Sequence, residues 1–435
     1  MRHTIRWSLL PVVLALVVGT GLPALGKHAT RPHTDNLKAT GHSPHEAQFF
    51  GVPSAQRHIN SDIAFWGNLA INGNYDGFRI IDISNPTDPQ QIVWQHCNGD
   101  QGDIVVWDNI LVRSWNSPAP PGRSCDGEPV PAGFEGLHVF DISNPSDPDL
   151  VTSVETECGS HTATLVPDTA NGRALVYNNG SSGACPWFEI VEVPLTAPAD
   201  AAILRTERLR HGAHRCHDIG VILGDENLAA CASDADANVF SIGAPRGGSL
   251  EDPEFLYSIA EKGVGIGGNW HSAAFTWDGE VIVLGWEPGG GSAPECEATD
   301  PAVKKSAFFY DADTGAKLGQ WTLPRPQSAE ENCTIHNYNV VPTTDGRYIL
   351  VSGNYQAGTW VSEFSDPANA VTLAWSDPPP IVPTNLGGAW SSYWYNGRIF
   401  ESEIQTGLNV FTYTDPVAGA SLPHLNPQTQ ETTIG

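Results

Sequence analysis

Apolar and polar residues alternate in short runs broken by tight turns along most of this chain. That period-two pattern belongs to half-buried strands, and no stretch of useful length carries a helical period. Two segments are close copies of each other. Gly77-Phe78-Arg79-Ile80-Ile81-Asp82-Ile83-Ser84-Asn85-Pro86 is followed by an Asp88-Pro89 turn, and Gly136-Leu137-His138-Val139-Phe140-Asp141-Ile142-Ser143-Asn144-Pro145 by Asp147-Pro148. Upstream of each lies a pair of short strands around a tight turn, Gly67-Asn68 in the first copy and Asp108-Asn109 in the second. One unit therefore reads strand, turn, strand, variable loop, strand, Pro-rich turn, strand.

Looser copies start at His161, His217, His271, His336 and near Trp390. Their turns fall at Asn171-Gly172, Gly224-Asp225, Asp278-Gly279, Asp345-Gly346 and Asn396-Gly397. Four-stranded units repeated in this way predict an all-β fold, a seven-bladed β-propeller of four-stranded blades over residues 57–415. Ahead of it, Arg2 and Arg6 precede an apolar run over 9–18, with a cleavage site at Ala24-Leu25-Gly26, so residues 1–26 read as a secretory signal peptide. Residues 27–56 form a His- and Pro-containing segment, expected to be partly disordered, that holds His28, His33, His42 and His45. Residues 416–435 read as a polar tail. A strand near 47–52 is a candidate for closing the ring onto the last blade.

The two Asp-Ile-Ser-Asn-Pro copies resemble the LVIVD-repeat family of extracytoplasmic β-propellers, and the first two repeats carry the likeness. The resemblance implies a secreted or surface propeller. It implies no single chemistry, because propellers host binding platforms and enzymes alike.

Charge and cysteine usage narrow the partners. Lys+Arg number 22 and Asp+Glu 49, for a formal charge of −27. So acidic a chain lacks the basic surface that displaces counterions from nucleic acid or docks on anionic lipid. A freely secreted protein with no stable membrane anchor is expected. Eight cysteines in an exported chain predict disulfides. Blade register puts all of them on one face. It suggests sequential pairing: Cys97 with Cys125, Cys158 with Cys185, Cys216 with Cys231, and Cys296 with Cys333.

The histidines carry the sharper chemistry. His161, His217, His271 and His336 open four successive first strands, so a propeller register gathers them at one end of the central channel. Neutral imidazole is a common ligand of Fe, Cu and Zn, and one of these is the expected cofactor. Glu287, Glu403, His214 and Asp218 are candidate further ligands or supports, and Asp62 and Asp103 hold the matching positions in the first two repeats. The only Met is residue 1, which disfavours a blue-copper centre with an axial thioether. Asp311-Ala312-Asp313-Thr314-Gly315 lacks the acidic twelfth residue of an EF-hand, where Thr322 stands. Walker, dinucleotide and nucleophile-elbow motifs are absent. Two functions follow. The first is an extracellular binding module that holds a protein, glycan or small molecule on its loop face, with the His ring as a metal site. The alternative is a metal-dependent propeller enzyme, in one form an oxidoreductase.

Overall fold

A computed structural model describes residues 31–47, 58–180, 185–260, 270–381, 386–415 and 432–434. The expected signal segment 1–26 and most of the tail lie outside them. The first repeat folds into four antiparallel strands, Asn60–Trp66, Leu69–Asn74, Gly77–Asp82 and Gln90–His96. Six further four-stranded units follow among the described residues. Their first strands are Ile104–Trp107, Thr162–Asp168, Cys216–Leu223, Trp270–Phe275, Asn337–Val341 and Ala389–Tyr395. These first strands touch one another in an unbroken cycle, the last against that of the first repeat. The fold is a β-propeller with its first strands around the central channel.

The repeated sequence explains the repeated shape. Gly77, Gly136 and Gly407 each begin a third strand. A Cβ there would lie 2.0 Å from Gln95 O, 2.1 Å from Val154 O and 2.4 Å from Ser43 O, so only glycine fits. The following Asp closes the outer turn: Asp82 Oδ1 accepts from Ser84 N and Asp141 Oδ1 from Ser143 N, each at 2.8 Å. A bulge between third and outer strands recurs, as at Ile80/Ile81, Val139/Phe140, Ile190/Val191 and Phe309/Tyr310, and adds the twist of a blade.

Each sheet is apolar on both faces and buries them against its neighbours. Ile71, Phe78, Ile80, Val106, Leu111 and Phe140 join the first two units, and Ile63, Phe65, Ile81, Tyr393, Phe400 and Val410 join the last to the first. The seam corrects the sequence reading. The outer strand of the last unit is Leu37–Pro44, paired antiparallel with Gly407–Tyr413, so the ring does not begin at residue 57. Leu37 fills the core beside Phe411, which the polar surroundings of that segment concealed. Of the 47–52 segment, only Ala47 lies within the described residues, and there it is not in a strand. Part of the tail is also ordered: Thr432–Ile434 pairs in parallel with Val221–Leu223 and touches the first strands of the third to fifth units. It lies at the end of the channel opposite His217, against three of the seven first strands.

A buried ion pair locks the seam. Arg31 donates to both Glu401 oxygens at 2.7 and 3.0 Å, and Thr359 and Asn409 add hydrogen bonds at 2.6 and 2.7 Å. Burial by itself would raise the Glu401 pKa, but the Arg31 charge and these four donors outweigh it, and the net shift is downward. Glu401→Gln leaves the guanidinium buried against a neutral amide, with an expected loss of about 3–5 kcal/mol. A carboxylate with a depressed folded-state pKa stabilises above its unfolded pKa, and that stability disappears as pH falls through the folded value. Calorimetry from pH 7 into acid should show the parent losing melting temperature more steeply than Glu401→Gln. Parallel curves from equal starting temperatures would contradict this role.

Candidate functional site

The predicted histidines converge. His161 directly precedes a first strand, His217 and His271 are second in theirs, and His336 directly precedes its own. Bulges at Cys216/Asp218 and Trp270/Ala273 turn His217 and His271 toward the channel. The rings form an arc, with centroids 4.4 Å apart for His161 and His217, 3.9 Å for His217 and His271, and 4.5 Å for His271 and His336. Glu287, at the end of a second strand, closes it: its carboxylate lies 3.6 Å from His271 Nε2 and 3.7 Å from His336 Nε2. One donor atom each of His217, His271 and Glu287 lies within 4.8 Å of the others.

Hydrogen bonds orient three of the four rings. Nδ1 of His161 lies 2.9 Å from Asn116 Oδ1, that of His217 2.9 Å from Asp218 Oδ1, and that of His336 2.5 Å from the Trp390 carbonyl. Carbonyl oxygens at Nδ1 favour the Nδ1-protonated form of His161 and His336, whose Nε2 lone pairs then face the channel, whereas the tautomer of His217 follows the protonation of Asp218. His161 Nε2 and His217 Nε2 are only 2.8 Å apart, the distance of a hydrogen bond between the two rings or of two ligands on one small cation. Such a contact needs a proton or a cation between the two atoms. His271 Nδ1 is buried without a hydrogen bond, with Asp218 Oδ2 4.0 Å away.

The electrostatics suit neutral ligands. Burial pushes the His217 and His336 pKa values down to about 3, and those of His161 and His271 well below the usual imidazole range. Burial also raises the pKa of Asp62 to about 6 and those of Asp218 and Glu287 to about 7. Asp62 serves the frame, accepting from Tyr393 at 2.9 Å, Asn337 at 2.9 Å and Ile63 N at 2.7 Å. Asp103 does likewise, with Ala163 N at 2.8 Å.

Two expected residues lie elsewhere. The Glu403 carboxylate accepts from Gly388 N at 3.0 Å and from Thr406, which ties down a loop of the last unit outside the cavity. The His214 side chain is 69% exposed and sits 3.5 Å from Asp234. All four sequential disulfides are present. The bond between Cys97 and Cys125 removes both thiolates that would otherwise form a donor group with His138.

Above the arc opens a cavity of about 340 Å³, lined also by Tyr75, Gln101, Arg215, Tyr355, Leu386 and Trp390. Tyr355 donates to Glu287 Oε1 at 2.8 Å and stacks near His336. Sequence reasoning missed both tyrosines, although a signal exists: Gly73-Asn74-Tyr75 and Gly353-Asn354-Tyr355 are the same tripeptide at the same place in two repeats.

A carboxyl whose folded-state pKa is raised loses stability as pH climbs from its unfolded value to its folded one. In chelator-treated protein, Glu287→Gln should therefore raise the melting temperature at pH 8 and change it little at pH 5. A variant less stable at pH 8 than at pH 5, relative to the parent, would show that the carboxylate is favourably held there.

No curated protein matches the chain. Among solved structures, BamB from Moraxella catarrhalis aligns at 10% identity over 80% of each chain, with a TM-score of 0.45. The Cps50 (Swd1) β-propeller domain of Myceliophteria thermophila aligns at 9% identity over 86% of this chain and 100% of that one, with a TM-score of 0.49. The N-terminal domain of Nup159 aligns at 10% identity over 88% and 96%, with a TM-score of 0.48. Residues 60–93 and 132–156 match the LVIVD repeat, and this chain is a β-propeller that carries that repeat.

Proposed function

We propose that this is a secreted metalloprotein whose channel mouth holds one Fe, Cu or Zn ion and presents it to a small ligand or substrate in the cavity. The observation that carries the reading is the 2.8 Å separation of the His161 and His217 Nε2 atoms, each with its Nδ1 committed to an oxygen. Two imidazoles bound at about 2.0–2.1 Å set their nitrogens roughly 2.9 Å apart at the right angle of a tetragonal or octahedral Cu or Fe site, and roughly 3.3 Å apart on tetrahedral Zn. His271 and His336 supply further neutral donors, and Glu287 a carboxylate between them. Asn116, Asp218 and the Trp390 carbonyl keep the imidazoles in the right tautomer and orientation, the usual task of such partners around a metal. Four disulfides and the expected signal segment support export to an oxidising compartment.

A bound ion would supply Lewis-acid or redox chemistry toward a ligand in the cavity. The chain's own part is to admit, orient and protonate that ligand. Tyr355 and Glu287 form a hydrogen-bonded pair beside the arc, able to hold or pass a proton at Glu287 Oε1. Thr432–Ile434 lies at the far end of the channel, and the cavity beside the arc is the route open to a ligand. A metal-free binding module is the second reading. Tyr75, Trp390, Leu386 and Gln101 give the cavity wall the mixed character of a small-molecule pocket without any ion.

Elemental analysis of the mature protein, purified without a His-tag, should find one equivalent of Fe, Cu or Zn at the channel. His217→Ala with His271→Ala should lower the total content by that one equivalent. Asp218→Asn should weaken affinity by about 10–100-fold, the usual effect of removing a ligand's orienting partner. A folded parent that contains no metal and takes up none of the three would overturn the metal reading and leave the binding module.

A further inference from the structure

A second group of imidazoles lies away from the channel, at the seam between the closing strand and the first unit. His45 follows Leu37–Pro44, His58 precedes Asn60–Trp66, Asp76 sits in the turn after Leu69–Asn74, and His96 ends an outer strand. Asp76 is 0% exposed, and neither of its oxygens accepts a hydrogen bond. His58 Nδ1 lies 3.1 Å from Asp76 Oδ2, yet the geometry makes no hydrogen bond. His45 Nε2 is likewise buried without a partner. His45 and His58 meet edge to face with centroids 5.2 Å apart, and Trp94 walls the group, 5.1 Å from His58 and 5.7 Å from His96.

Unsatisfied buried polar atoms are expensive, and a buried carboxylate more so. Here the Asp76 carboxylate, with His58 at ion-pair distance and the Arg113 charge nearby, shares the seam with the His45 ring, 5.2 Å from that of His58. The donor set is imidazole and carboxylate, which suits Zn or Cu rather than Ca or Mg. Burial, first, and the neighbouring Arg79 and His58, second, hold the His45 pKa near about 3, so its lone pair is available at neutral pH.

We infer that His45, His58 and Asp76, with His96 as a fourth donor, form a second transition-metal site that clips the seam of the ring. Among the described residues only the channel arc and the Cys97–Cys125 group already converge within 4.8 Å, so binding here draws His45 and His96 inward by side-chain rotation. The ion bridges the segment after the closing strand to the first unit, which makes it a structural clip rather than a reaction centre. The site stands apart from the channel and does not rest on the function proposed for it.

Calorimetric titration of the chelator-treated mature protein with Zn²⁺ tests this. The expected result is one equivalent retained by the His217→Ala, His271→Ala variant, and that equivalent lost in Asp76→Asn and in His45→Ala with His58→Ala. Asp76→Asn keeps the side-chain shape and should fold; circular dichroism and the melting temperature check each variant. Zn²⁺ should raise the melting temperature of the channel variant and not that of the channel variant that also carries Asp76→Asn. If Asp76→Asn and the His45, His58 variant both bind as many equivalents as the parent, the seam site is wrong, whatever becomes of the channel site. If the channel variant is folded and binds no Zn²⁺, the seam site is equally wrong.

Discussion

Closure of the ring is the constraint on which everything else rests. No four-stranded unit can bury both of its apolar faces alone, so each depends on two neighbours. The cycle has one break in the chain, between the last unit and the first, and Leu37–Pro44 covers it by pairing with Gly407–Tyr413. Arg31 and Glu401 then fasten that strand from inside. A closed ring fixes the radial position of every first strand. Residues at one register of the repeat must therefore meet at the channel mouth, and a periodic sequence becomes a convergent site.

The inner strands bring carboxylates and imidazoles to the mouth, and the chain uses them in two ways. Asp62 and Asp103 spend their carboxylates on other units, through Tyr393, Asn337 and the Ala163 amide. The imidazoles are kept neutral by burial and are turned by Asn116, Asp218 and the Trp390 carbonyl, so that their lone pairs share one space. Frame and site thus draw on the same row of positions, with carboxylates bonded across units and imidazoles left with an unspent nitrogen.

Much of this was legible in the sequence. The strand–turn–strand repeat set the register, and the register put His161, His217, His271 and His336 together and paired the cysteines in order. The failures are specific. Leu37–Pro44 was obscured because an outer strand is half polar and its partner lies more than 360 residues away. Glu403 ends a second strand as Glu287 does, but a nearby Thr406 and the Gly388 amide capture its carboxylate, a matter of loop conformation. His214 lies three residues before His217, yet the loop turns it out to solvent. Tyr75 and Tyr355 were findable, since the Gly-Asn-Tyr tripeptide repeats. Asp76 was not, because only the fold reveals that its carboxylate is buried beside His58.

The most direct test of the central claim is X-ray diffraction from crystals of the mature protein, with data collected above and below the Fe, Cu and Zn absorption edges. The account predicts an anomalous peak at the channel mouth, about 2.0–2.3 Å from the Nε2 atoms of His161, His217 and at least one of His271 and His336. A map without such a peak, with His161 and His217 still in contact, would assign their short approach to a shared proton and contradict the metal centre.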